Sequence, residues 1–99
     1  MSEKEPIISS SGNVFADLGF EVEEAENLRV RADLMIAIKT LVEEKGWTQE
    51  EAARRFGVSQ PRISEIFRGK IGLFTVDKLI NMLARAGRQV SVQIFADAV

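Results

Sequence analysis

Between Ser59 and Arg68 the chain sorts two kinds of side chain at helical spacing. Ile63, Ile66 and Phe67 form an apolar stripe, while Ser59, Gln60, Arg62, Ser64, Glu65 and Arg68 make the outward face almost wholly hydrogen-bonding. No covalent chemistry is expected of that face. The chain has neither histidine nor cysteine, so the usual nucleophile–base pairs are missing, and Ser64 beside Glu65 is only a pair of helix-surface neighbours. Only carboxylates and carbonyls remain as metal ligands, and no glycine-rich phosphate loop occurs; we expect no zinc site, no cofactor and no enzyme. What the face can do is recognise. A Gln60 amide pairs in a bidentate way with adenine, Arg62 or Arg68 reaches guanine or phosphate, and Pro61 offers apolar contact, as to a thymine methyl. Glu65 is the odd member: phosphates repel it, so it must accept from a cytosine amino group or pair with Arg62 or Arg68.

The elements that would position this face are legible around it. Thr48 and Glu51 have capping-box spacing and start a short helix, with Ala52, Ala53 and Phe56 at helical intervals and Gly57 as its stop. Ser59 is placed to cap a second helix, whose first turn takes Pro61 without losing an amide donor. Small Ala53 lies where the two helices cross, and Val58, Ile63 and Ile66 lock them together. Two short helices around a glycine turn are the helix-turn-helix arrangement, whose second helix enters the DNA major groove. Gln49 begins the first helix beside exposed amides and a dipole favourable to phosphate.

Net charge is −2, against a polyanion partner at first sight, but its distribution reverses that impression. Residues 1–26 hold seven acids and one base, whereas residues 27–99 carry twelve bases and eight acids. Arg54, Arg55, Arg62, Arg68, Lys70 and Lys78 cluster around the motif, and local field steers a protein to phosphate. Ninety-nine residues, 45 % of them apolar, suit one domain with a modest core. No apolar run reaches membrane-spanning length, the start lacks the regions of a secretory signal, and the absence of cysteine suits a reducing cytoplasm.

Residues 1–13 read as a flexible tail, and 14–99 as a single domain. Residues 13–20 (Asn-Val-Phe-Ala-Asp-Leu-Gly-Phe) are expected to dock as a turn of helix or an extended arm. A long helix is expected from Glu23 to Lys45 with Leu28, Leu34, Ile38, Leu41 and Val42 inward, and another after the Thr75 cap with Val76, Leu79, Ile80 and Leu83 inward and Gly87 as its stop. Residues 89–95 alternate Val90, Val92 and Ile94 with Gln89, Ser91 and Gln93, the period of a half-buried strand. One strand cannot satisfy its own backbone. Its partner is an N-terminal extended piece, at Ile7-Ile8 or Val14-Phe15, or the same strand of a second chain; the second option, a symmetric dimer, is preferred.

With these residues in view, the chain resembles the Cro/repressor-like (XRE) helix-turn-helix family, and within it the HigA-like antitoxins. The general resemblance rests on Thr48-Gln49-Glu50, Gly57-Val58-Ser59-Gln60, Ile63-Ser64 and Arg68-Gly69-Lys70. The narrower one rests on residues 13–20, Glu24-Ala25, residues 28–32 and residues 74–79. It implies a mainly α, lambda-repressor-like bundle of four or five helices, a homodimer and operator binding. Position by position, it implies base-edge contacts for Gln60, Pro61 and Glu65 and phosphate contacts for Gln49, Ser59 and Arg68. The candidate DNA-binding set is Gln49, Ser59, Gln60, Pro61, Arg62, Ser64, Glu65, Arg68 and Lys70.

The expected function is a cytoplasmic, sequence-specific repressor that binds a palindromic operator as a dimer and serves as the antitoxin of an autoregulated toxin–antitoxin module. A cognate toxin is then a further partner, with the acidic, apolar stretch Phe15–Glu26 as its surface. That stretch reads equally as an arm that covers core. The alternatives are a free-standing phage-type repressor, or an adaptor that neutralises a toxin with little role at DNA.

Overall fold

The computed structural model describes residues 13–96. Five α-helices run in chain order: α1 (Val14–Asp17), α2 (Val22–Lys45), α3 (Gln49–Phe56), α4 (Gln60–Phe67) and α5 (Val76–Arg85), with a 3-10 turn, Ile71–Leu73, between α4 and α5. The 24-residue α2 is the beam against which α1, α4, the 3-10 turn and α5 pack, while α3 packs chiefly on α4 and α5. It turns a stripe of Ala25, Leu28, Met35, Ile38, Leu41 and Val42 inward and ends at Gly46 in the left-handed conformation, φ 67°. Its C-terminal half joins one core with Ala52, Ala53 and Phe56 of α3, Ile63 and Ile66 of α4, Phe74, and Leu79, Met82 and Leu83 of α5. Trp47 closes one side, edge-on to Phe56 with ring centroids 5.9 Å apart.

Small polar groups fix where the short helices start. Thr48 Oγ1 accepts from the Glu51 amide at 3.1 Å, and Thr75 Oγ1 accepts from the Lys78 amide at 3.1 Å. Only half of the expected capping box forms, because the Glu51 carboxylate is taken by Arg54 and Arg55. Ser59 occupies the N-cap of α4, but its hydroxyl makes no capping bond. Asn13 does two jobs: its Oδ1 accepts from the Phe15 amide at 3.0 Å, and its Nδ2 donates to the Ala25 carbonyl at 3.1 Å. The side chain thereby caps α1 and ties it to α2, which settles residues 14–17 as helix rather than an extended arm.

The expected strand at 89–95 is a correction. Among the described residues no strand is present, and 88–95 run without regular structure. The physical reason is the missing ladder: Val14–Phe15, one proposed internal partner, is spent in α1, and Ile7–Ile8, the other, lies outside the described residues. Val90 still packs against the core, whereas Val92, Ile94 and Phe95 are exposed, Ile94 at 87 %. The tail expected at 1–13 likewise lies, but for Asn13, outside the described residues. Phe67 and Leu34, expected inside, are only half-buried, and Met35 and Met82 join the core without having been anticipated.

Candidate nucleic-acid interface

Gly57 makes the hairpin possible. It ends α3 at φ 73°, a conformation costly to any residue with a Cβ, and the Val58 amide closes on the Ala53 carbonyl at 3.0 Å. Val58 then drops toward the core, and Ile63 and Ile66, both fully buried, clamp α4 across α3 and α2. With those two residues facing in, helical geometry sets Pro61, Ser64, Glu65 and Arg68 on the opposite side, with Gln60 and Arg62 on its flanks. Gln49, Ser59, Gln60, Pro61, Arg68 and Lys70 are exposed; Arg62, Ser64 and Glu65 are half-buried. Gln49 and Gln60 each occupy the first residue of a helix, and Arg68 and Lys70 flank the left-handed Gly69 just past α4. The candidate residues thus lie on α4 and its two ends, with Gln49 contributed by the start of α3.

The cations around the motif fall into two groups. Arg54 and Arg55 share the Glu51 carboxylate, and the Arg55 guanidinium lies over Trp47, 5.1 Å from the ring centroid. Arg62 donates through Nη1 to Glu65 Oε1 at 2.8 Å and stacks over Phe74, 5.7 Å from that ring centroid. Among the described residues, Arg68, Lys70 and Lys78 have no ion-pair partner. They are the cations freest to meet a phosphate.

Two residues that hold this arrangement escape sequence reasoning. Arg31, on α2, donates through Nη1 to the carbonyls of Ile71 and Phe74, at 3.2 and 3.1 Å, and through Nε to Asn27 at 2.7 Å. It thereby pins the 3-10 turn that follows Lys70. Phe74 is buried and serves as the platform under Arg62. Nothing in spacing predicts a contact forty residues away; the only signal was that both lie within segments carrying the family resemblance.

At the other end of α2, Arg29 bridges Glu26 at 2.6 Å and Asp33 at 3.0 Å. The hydrogen bond from Arg29 holds the Glu26 carboxyl below its ordinary value, and burial pushes that of Asp33 up. This end also exposes apolar side chains, Val14, Leu18, Phe20 and Val22, the last at 80 %.

The helix-turn-helix domain family matches residues 14–95, which spans all five helices and the tail. The chain belongs to that family. No curated protein matches it significantly. A helix-turn-helix domain is a framework of DNA-binding regulators, and α3, the Gly57 turn and α4 have that two-helix arrangement. No helix among the described residues is long and apolar enough to cross a membrane.

Proposed function

We propose that this helix-turn-helix protein is a sequence-specific transcriptional repressor, closest to the HigA-like branch of the Cro/repressor-like (XRE) proteins, acting in the cytoplasm on double-stranded DNA and without enzymatic activity. The observation that carries this reading is the polar face of α4, with Gln60 and Arg68 exposed at its ends and Lys70 beside it. In this reading α4 enters the major groove, Gln60, Pro61 and Ser64 meet base edges, and Gln49, Ser59, Arg68 and Lys70 hold phosphates. The test is binding to the DNA upstream of its own gene. Gln60→Ala should cost about 1–3 kcal/mol and relax preference at one base pair, while Arg68→Ala should weaken all duplexes and flatten the salt dependence by about one. Wild-type binding unchanged in both variants would remove α4 as the reading element.

The repressor is proposed to work as a homodimer. The support is the tail: Val92, Ile94 and Phe95 stand in solvent, and a second copy offers them matching apolar surface. A shallow groove beside its root, walled by Leu34, Ala37, Leu41, Leu83 and Val90, offers apolar surface to such a partner. Truncation after Arg88 should then turn a dimer into a monomer in sedimentation and abolish tight binding to a palindromic site. A full-length chain that sediments as a monomer at tens of micromolar refutes the dimer.

A second reading, compatible with the first, makes the chain an antitoxin. It is favoured by the α1–α2 junction, where exposed Val14, Leu18, Phe20 and Val22 are interspersed along the chain with exposed Asp17, Glu21, Glu23 and Glu24. An exposed segment both apolar and acidic fits a basic protein such as a ribonuclease toxin. Co-expression with the product of the adjacent gene should yield a complex that Leu18→Lys disrupts; failure to rescue growth leaves a free-standing repressor.

A further inference from the structure

Arg62 and Glu65 stand one turn apart on α4, and their pairing alters what each can do at DNA. The Arg62 Nη1 lies 2.8 Å from Glu65 Oε1, and its guanidinium rests over the ring of buried Phe74, whose carbonyl is held by Arg31. The pair is therefore fastened to the core rather than waving in solvent. Glu65 Oε2 accepts no hydrogen bond among the described residues. Helical geometry places Glu65 between Pro61 and Arg68 near the middle of the outward face.

An unmasked carboxylate at that position would meet DNA's dense phosphate charge, one negative charge per ~1.7 Å of duplex axis. A guanidinium bound to it cancels that charge while using only part of its acceptor capacity. The base group that a carboxylate reads in the major groove is the exocyclic amine of cytosine. The converse also holds. A free arginine on the flank of α4 would be drawn to any phosphate, an attraction blind to sequence.

Resting on the reading of α4 as a DNA-binding helix, we propose that the Arg62–Glu65 pair seated on Phe74 is a specificity device. Arg62 masks Glu65 so that the free carboxylate oxygen reads a cytosine amine, and Glu65 keeps Arg62 off the phosphates. Arg62 is thus a positioning residue and not the phosphate contact expected from its charge.

The test uses the full chain and a randomised duplex library, from which the preferred site is selected; affinity for that site and for a scrambled duplex is then followed over a salt series. Glu65→Gln should lose one cytosine from the selected site and narrow the ratio of specific to scrambled binding about tenfold. Its log-affinity against log-salt slope should steepen by about one, as the released Arg62 takes a phosphate. Arg62→Met keeps apolar contact with Phe74 but unmasks Glu65, and should weaken every duplex about tenfold. Adding Glu65→Gln to Arg62→Met should restore most of that affinity without the cytosine preference. A partly solvated pair contributes little to stability, and Arg62→Met keeps the contact with Phe74, so thermal midpoints should stay close to the wild-type value.

Wild-type preference and slope in Glu65→Gln, or strictly additive effects in the double variant, overturn the pairing while leaving α4 as the reading helix. A wild-type chain that selects no site and shows no salt dependence is a different result, and it removes both readings together.

Discussion

Arg31 makes the sharpest demand on this structure, because one side chain on α2 holds the turn that follows the recognition helix. Its guanidinium donates to the Ile71 and Phe74 carbonyls at 3.2 and 3.1 Å, in a half-buried setting. Hydrogen bonds from a charged donor contribute about 1.5–3 kcal/mol each when well buried. These are long and partly wetted, so about 1 kcal/mol apiece is the reasonable share, or about 2 kcal/mol for Arg31→Met, which keeps much of the apolar stem. For a domain of this size that corresponds to a fall of roughly 8–15 °C in thermal midpoint. Arg31→Lys retains the charge but cannot fork across two carbonyls, and should fall between. The functional consequence follows from Lys70, which immediately precedes the pinned turn. Loosening that turn should cost one phosphate contact and lower the salt slope of DNA binding by about one. Urea unfolding and a salt series on the same protein read both effects. An unchanged midpoint refutes the worth given to the two bonds, and a lowered midpoint with an unchanged slope refutes the link from Arg31 to DNA.

Three further perturbations probe the scaffold. Ile66→Ala, at a fully buried position between α4 and the core, should cost about 2–5 kcal/mol in urea unfolding. Gly57→Ala places a Cβ at φ 73° and within 2.5 Å of Arg85 Nε; the arginine can swing aside, so the backbone dominates and about 1–2 kcal/mol should be lost. Glu26 titrates below its ordinary value because of Arg29, so its contribution is present above its unfolded pKa and disappears as pH falls through the lower folded one. Glu26→Gln should therefore trail the wild type near neutrality and converge with it in acid. Asp33, raised by burial, has the opposite sign: its contribution is present below its unfolded pKa and lost as pH rises through the folded one. Asp33→Asn should accordingly show less decline toward neutral pH in the same measurement.

What could be read from the sequence was whatever depends on neighbours along the chain. Thr48, Thr75, Gly46 and Gly57 act within a turn or two of themselves, and each does in the fold what its local chemistry requires. Ile63 and Ile66 follow from helical period alone. The residues that eluded prediction work across long separations. Arg31 is an ordinary helix cation until the turn at Ile71 folds against it, and Phe74 is an ordinary apolar residue until Arg62 lies on its face. No strand forms at 89–95 among the described residues, for a related reason. Alternation reports that a segment could join a sheet, but the ladder belongs to two segments, and the one available inside the described chain is a helix.

Charge illustrates the same distinction between a total and an arrangement. The net balance is acidic, yet Asp17, Glu21, Glu23 and Glu24 sit at the end of α2 where α1 docks, near Ala25. Lys39, which lies over Phe67 at the far end of α4, is fourteen residues further along the same helix, about 20 Å at helical rise. Ionic screening at physiological salt acts over roughly 8 Å, so the acidic end is more than two screening lengths from Phe67 and its neighbour Arg68. It is only about one from Arg31, which lies six residues (~9 Å) beyond Ala25 and holds the Ile71 carbonyl next to Lys70. A phosphate approaching α4 meets mainly Arg68 and Lys70, with Glu65 already neutralised by Arg62. The rigidity of α2 makes the separation from Arg68 dependable: a helix cannot fold its acidic end back onto its own middle. An overall charge of −2 is therefore compatible with a polyanion partner. Arg68 stands clear of the acidic end and, with Lys70, has no ion-pair partner among the described residues, while Glu26 at that end is already bound by Arg29.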